Sequence, residues 1–366
     1  MNIHRIFFPA VTLLAVLGLA PLTAVADLVP PAGYLQPVIV KKAKPAECGE
    51  MPQPFTGTLE FPSKYEGSDS SRSTLNPESD KRYKKLTAPV VAMEKGVVSL
   101  VGKYMASGNQ DQLDCALTWL STWAKANALE GDAPNHTGRS IRKWTLGSLS
   151  SAYLRLKFSS SAPLKLEPER AKLIEAWFGR IADHVIKEWS PEDPIKKINN
   201  HYYWVGWSLM ATAVVTDRRD LFDRAVVFFR IFESQLDADG YLPNELNRAT
   251  RALGYHAYAL APLTMIAAFA QANRVDLAAE GNGALSRLAT RVARGIRDPQ
   301  VFAQKTGADQ DADASSEKTQ WVWLEPYCSI LTCNSDLSTQ LNLSRPNKST
   351  RLGGDLTAIY QGSHPP

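Results

Sequence analysis

The sequence has no C-x-x-C pair, and His136, His184, His201 and His256 do not fall at ligand spacing, so nothing in it supports a zinc centre. Strand-like alternation is nearly absent, which argues against a sheet-based fold. Lys and Arg are not clustered on a recognisable module, and a net charge of +4 is too mild for a nucleic-acid signature, although a locally basic groove would still attract a polyanion. Around the polar motifs there is neither the paired carboxylates of a glycosidase nor the nucleophile of an acyl transferase. No stretch after residue 26 reads as long and apolar enough to span a membrane. Asp309, Asp311 and Asp313 resemble the start of a calcium loop, but Ala314 and Gln320 stand where Gly and Glu are needed, so the run reads as solvated loop.

What is present begins with an export signal. Arg5, the apolar run Phe7 to Leu19 and Ala24-Val25-Ala26 give a charged region, a short hydrophobic region and an A-x-A cleavage site, so the mature chain is expected to begin near Asp27. Cys48, Cys115, Cys328 and Cys333 all lie in the exported part, where an oxidising compartment lets thiols pair. Three pairings are formally possible. The favoured one joins Cys328 to Cys333 and Cys48 to Cys115.

Residues 27–84 form an expected extended arm, rich in proline, with a polar Gly/Ser stretch at about 62–76 that reads as a lid or a surface loop. From about Lys85 to residue 366 the reading is a single all-α domain of antiparallel helical hairpins with a less regular tail after Gly307. Helices are expected near 86–107, 110–128, 137–156, 167–187, 199–216, 218–235, 249–271 and 282–295, joined by short turns.

Two stretches carry the chemistry. In Asn199-Asn200-His201-Tyr202-Tyr203-Trp204-Val205-Gly206-Trp207, two amides, an imidazole, two phenols and two indoles are more hydrogen-bonding groups than a core segment needs, although an Asn there is also a natural helix cap. In the second stretch, a helix from Ala249 would put Arg251, Tyr255 and Tyr258 on one face, with Arg248 at its mouth. An amide, a guanidinium, an imidazole and a phenol suit β-elimination next to a uronate carboxylate. Asn200 and Arg248 would neutralise the carboxylate, and His201 and Tyr255 would move the protons. A tyrosine base needs its pKa drawn down by nearby cations. Trp144, Trp204 and Trp207 offer flat faces for sugar rings.

These runs, together with Asn135-His136-Thr137-Gly138, Arg142-Lys143-Trp144, Lys64-Tyr65-Glu66-Gly67-Ser68-Asp69-Ser70 and Trp323-Leu324-Glu325-Pro326-Tyr327-Cys328, resemble the periplasmic alginate lyases that prefer polymannuronate. The likeness runs over nearly all of the mature chain. It implies an incomplete (α/α) toroid with an N-terminal lid over a tunnel-like cleft, and metal-free chemistry with no cofactor. The catalytic set would be Asn200, His201, Arg248 and Tyr255. Substrate contacts would come from Lys64, Tyr65, Asn135, His136, Arg142, Trp144, Trp204, Arg251, His256 and Tyr258. The implied partners are alginate and the periplasmic proteins that polymerise and export it, with no nucleic acid and no membrane. The alternatives are a lyase of another uronate polymer and a non-catalytic polyuronate-binding assembly protein. Product unsaturation separates the lyases from a protein that only binds.

Overall fold

The computed structural model describes residues 26–42, 45–311 and 320–361, and the expected export signal lies outside them. The helices are α1 (Pro77–Ser107), α2 (Gln110–Lys125), α3 (His136–Phe158), α4 (Pro168–Glu188), α5 (Asn200–Thr216) and α6 (Arg219–Gln235). After them come α7 (Pro243–Leu246), α8 (Ala252–Ala272), α9 (Glu280–Arg297), α10 (Gln300–Thr306), α11 (Leu324–Ile330), α12 (Ser335–Ser344) and α13 (Leu356–Tyr360). Two-residue strands β1 (Lys348–Ser349) and β2 (Gly354–Asp355) pair as an antiparallel hairpin before α13.

Burial sorts the helices into two layers. α5 is apolar nearly all round and α8 almost as much, so both must be surrounded, whereas α4, α6 and α9 each bury one stripe and wet the other. The inner helices follow one another as α1, α3, α5, α8 and α11, each packed on the next, while α2, α4, α6 and α9 lie outside them. The ring does not close helix to helix. The β1–β2 hairpin, with the 3₁₀ turn between its strands, and α13 occupy the gap, because β2 packs on α1 and α13 on α11. This is an incomplete (α/α) toroid.

Three expectations need correction. The first helix starts at Pro77, well before Lys85, because Asn76 accepts a hydrogen bond from the Ser79 amide (2.9 Å) and Pro77 fits a first turn. By length and composition, residues 249–272 are apolar enough to cross a membrane, but they are packed inside the toroid against α5, α6 and α9. The helix itself begins only at Ala252, after a 3₁₀ turn at Ala249–Arg251. The disulfides are Cys48–Cys115, which ties the arm to α2, and Cys328–Cys333 at the end of α11.

The arm is fixed along its length by side chains and backbone of the helices' connecting segments. Asp217 accepts from the Leu28 amide (2.8 Å), Ser161 from the Val38 amide (2.9 Å), and the Asp132 carbonyl from the Leu59 amide (2.7 Å). At the start of α3 it passes so close that a Cβ on Gly138 would lie 1.7 Å from the Leu59 carbonyl oxygen. Gly138→Ala should therefore push the arm off α3 and cost on the order of 1–3 kcal/mol, or more if the arm cannot move. Thermal unfolding checks this, and a melting point within a degree of the parent would refute the close approach.

Candidate active site

The inner helices present polar side chains at one mouth of the toroid, around a cleft of about 600 Å³. The helical repeat explains why. His136, Ser140 and Trp144 share a face at the start of α3, Asn200, His201 and Trp204 share one on α5, and Tyr255 and Tyr258 share one on α8, with Arg251 in the 3₁₀ turn just before it. The lid loop adds Lys64, Tyr65 and Arg72, and the turn after β1 adds Arg351.

Asn199 caps α5, its side chain accepting from the His201 amide (3.0 Å), so the cap does not draw on Asn200. Asn200 is fully buried. Its backbone N–H donates to Glu245 Oε1 (2.6 Å), and its Nδ2 donates to both Glu245 oxygens (3.0 Å each), leaving Oδ1 without a partner. Glu245 is itself buried, which pushes its carboxyl above the usual range, although its bonds to Asn200 and the Arg248 charge oppose this.

His201 is half-buried among His136, Trp144 and Trp189 rings. Lys143 Nζ lies 3.1 Å from its Nδ1 and 2.8 Å from its carbonyl oxygen, and 3.5 Å from the centre of the Trp189 ring. Ser140 Oγ is 3.2 Å from the same Nδ1. Burial, then Lys143 and the other nearby cations, hold the imidazole well below its ordinary pKa, and His136 is drawn down to about 3 for similar reasons. Both rings are thereby held toward the neutral form.

The phenols of Tyr65 and Tyr255 are 2.8 Å apart. Arg248 lies 3.7 Å from the Tyr255 ring centre and donates to the Arg72 carbonyl (2.6 Å), and Arg251 Nη1 is 3.5 Å from the Tyr65 oxygen. The expectation that cations draw Tyr255 down is not met. Burial outweighs Arg248 and raises Tyr255, while Lys64, the bond from Tyr255, Arg251 and Arg248 together overcome burial at Tyr65 and lower it. The first ionisation of the hydroxyl pair therefore comes early, and it is centred on the lid residue.

Eleven of the residues singled out from sequence line the cleft: Lys64, Tyr65, His136, Trp144, Asn200, His201, Trp204, Arg248, Arg251, Tyr255 and Tyr258. Four do not. Arg142 is 1% exposed, paired with Glu188 and donating to the Leu129 and Gly131 carbonyls, so it ties α3 to α4 and the preceding loop. His256 is buried, accepting from the Leu242 amide (2.8 Å), with Nδ1 beside the Ala252 carbonyl (2.7 Å), and burial pushes it down to about 4. Asn135 caps α3 and holds the Phe61 carbonyl (3.0 Å). Trp207 is buried, with its indole N–H on the Arg351 carbonyl (3.1 Å).

Sequence reasoning missed Glu245, Lys143 and Arg351. Lys143 falls three and seven residues after Ser140 and His136, so the helical repeat was its one available signal. Arg351 had none, since it lies in the irregular tail and reaches the cleft only because the hairpin fills the gap in the ring; its guanidinium lies 3.9 Å from the Trp144 ring centre and donates to the Tyr258 hydroxyl. The acidic run partly falls outside the described residues; Asp311 lies 3.7 Å from Arg251. Among the described residues no group of three His, Cys, Asp or Glu side chains is placed to hold a metal ion.

The alginate lyase family pattern matches residues 60–302. An alginate lyase of Pseudomonas syringae pv. syringae (strain B728a) is 52% identical over 345 residues, covering 93% of this chain and 90% of that protein. One from Pseudomonas aeruginosa (strain LESB58) is 50% identical over 359 residues, covering 98% and 97%. Among solved structures, alginate lyase A1-III from Sphingomonas species A1 superposes with a TM-score of 0.72 at 23% identity, covering 87% of this chain and 88% of that one.

The placement of Arg142 is open to a direct check. Arg142→Met strands the Glu188 carboxylate and should cost roughly 3–5 kcal/mol of stability, while oligouronate affinity of the folded protein stays within about twofold. Unchanged melting with lost affinity would return Arg142 to the binding surface.

Proposed function

The chain belongs to the alginate lyase family, and from that premise we propose that it prefers polymannuronate, works without a metal ion, and acts in the periplasm to clear alginate stranded during biosynthesis and export. The observation that carries the preference is the contact between Lys143 and His201. We assign Lys143 and Ser140 as the donors to Nδ1, which places the imidazole proton on Nε2. A histidine in that tautomer donates to developing charge, and it is a poor base for a C5 proton.

That leaves the proton transfers to the tyrosines. In mannuronate the C5 proton and the C4 leaving oxygen are on the same side of the ring, so one group can take the first and protonate the second. In guluronate they are on opposite sides, and a second base is required. Tyr255 serves both roles for mannuronate. When the hydroxyl pair has lost one proton, Tyr255 passes its own to Tyr65, abstracts the C5 proton as phenolate, and returns it to the departing O4.

Arg248 and Asn200 neutralise the substrate carboxylate, lowering the cost of the enolate that follows. Asn200 suits the task best with Glu245 protonated, as burial favours. Nδ2 now donates to both Glu245 oxygens; a Glu245 hydroxyl donating to Oδ1 would free it to turn to the cleft, and burial raises the carboxyl in that direction. Trp144 and Trp204 present ring faces to the sugars, and Lys64, Arg72, Arg251 and Arg351 give the cleft the positive potential a polyuronate follows. The exported location is supported by the N-terminal signal pattern.

Two measurements test this reading. Ultraviolet absorbance of unsaturated uronate should rise on polymannuronate at least about tenfold faster than on polyguluronate, a difference of ~1.4 kcal/mol in barrier, and EDTA should leave the rate unchanged. Loss of activity in EDTA, or equal rates on both polymers, would refute it. Tyr255→Phe should lower kcat by about 10²–10⁴. Tyr65→Phe should instead move the rising limb of the pH–rate profile to higher pH, because the early ionisation needs the second hydroxyl. An unshifted profile would show that Tyr65 takes no part in proton transfer.

A further inference from the structure

The hairpin that walls the cleft also walls a second cavity, of about 560 Å³, and Lys348, Ser349 and Thr350 line both. Five elements meet there: the arm at Tyr34 and Gln36, α1 at Lys95 and Lys103, α3 at Arg155, the hairpin, and α13 at Ala358 and Ile359. Two buried donors in this wall have nothing to bond. Arg155 is 8% exposed and its Nη1 has no hydrogen-bond partner; Tyr34 is 2% exposed and its hydroxyl has none either.

A guanidinium held this far from water is costly unless an anion faces it. Among the described residues no carboxylate is hydrogen-bonded to it. Asp355 is the one acid among the lining residues, and it is engaged by Lys348 (3.2 Å) and by the Ala358 amide it caps (3.0 Å). Nothing covers the guanidinium from the flanks either: Gly102 and Gly354 face it, and a Cβ at either would lie 3.8 Å from Nη1. Arg155 and Tyr34 line the same cavity from α3 and the arm, so one ligand can meet both. The missing partner is an oxyanion, and a guanidinium fork matches a carboxylate best.

We propose that this cavity binds the carboxylate of a uronate residue, either on a released oligosaccharide or on a part of the polymer remote from the bond being cleaved. The volume exceeds what a bare anion needs, and Gln36, Ser99, Ser349 and Thr350 offer amide and hydroxyl groups to a sugar. The shared wall keeps a polymer engaged in the cleft at high effective concentration here. Lys95, Lys103 and Lys348 add long-range attraction. The assignment rests on alginate being the substrate.

The test titrates a mannuronate trisaccharide into the full mature chain carrying Tyr255→Phe, which stops turnover. Two binding events are expected. Adding Arg155→Met should abolish one and leave the other within about twofold, and adding Tyr34→Phe, which keeps the ring, should weaken the same event by roughly three- to tenfold. With Tyr255 intact, Arg155→Met should lower kcat/KM on long polymer several-fold and leave it unchanged on short oligosaccharides if remote polymer is the ligand, or should relieve product inhibition if released oligosaccharide is. A single event in the parent, or two events untouched by both substitutions, overturns the site. Displacement by inorganic phosphate with no competition from trisaccharide also overturns it, in favour of a free-oxyanion site. If Arg155→Met fails to melt cooperatively, the Tyr34→Phe titration decides alone. Failure of the alginate reading shows separately, as absence of unsaturated product from the chain with Tyr255 intact.

Discussion

The cleft depends on one buried carboxylate. Glu245 takes the first backbone N–H of α5 and the Asn200 side chain, while its own carbonyl accepts from the Arg248 amide (3.0 Å). The start of an inner helix and the loop that carries the arginine are thereby locked to each other at hydrogen-bond precision. His201 follows Asn200 by one residue and Tyr255 follows Arg248 by seven, so the same contact sets the distance between imidazole and phenol. Breaking it would expose an unpaired buried acid or leave an orphaned amide, either of which costs more than the bond itself contributes.

Around that contact the electrostatics run in one direction. The whole chain carries +4, yet Lys64, Arg72, Arg248, Arg251, Lys348 and Arg351 all border one cleft, and Lys143 lies buried just behind it. Such a cluster stores repulsion that a polyanion relieves. Burial first, and then these charges, hold His136 and His201 below the ordinary imidazole range, and the charges let the Tyr65–Tyr255 pair lose a proton early in spite of burial. Binding and proton transfer thus draw on the same cations, and the chemistry proposed for the site needs no further charge.

The arm and the tail serve the ring as fasteners. Asn135 holds the arm at Phe61, Cys48 holds it at α2, and Gly138 gives it room to pass over α3. At the other end the hairpin fills the gap between first and last inner helices, which brings Arg351 to the cleft and leaves Arg155 beneath the hairpin's outer edge. Both positions are consequences of an open ring that something must plug.

Local information in the sequence determined the helices, their antiparallel order and most of the site. The 3.6-residue repeat is enough to place Tyr255 and Tyr258 on one face, and the density of polar groups in 199–207 marks a site wherever the chain goes. It also set the start of α1 at Pro77, through an Asn cap and a first-turn proline that were there to be read. Tertiary structure alone decided which of those groups face substrate. Arg142 and Trp144 are two residues apart, yet one pairs with Glu188 behind the helix and the other opens on the cleft; His201 meets Lys143 while His256 meets a backbone amide. The reason is that a buried polar side chain takes its role from its partner. Partners for Asn200, Tyr255 and Trp144 come from segments 45, 190 and about 200 residues away, distances over which no local pattern carries a signal.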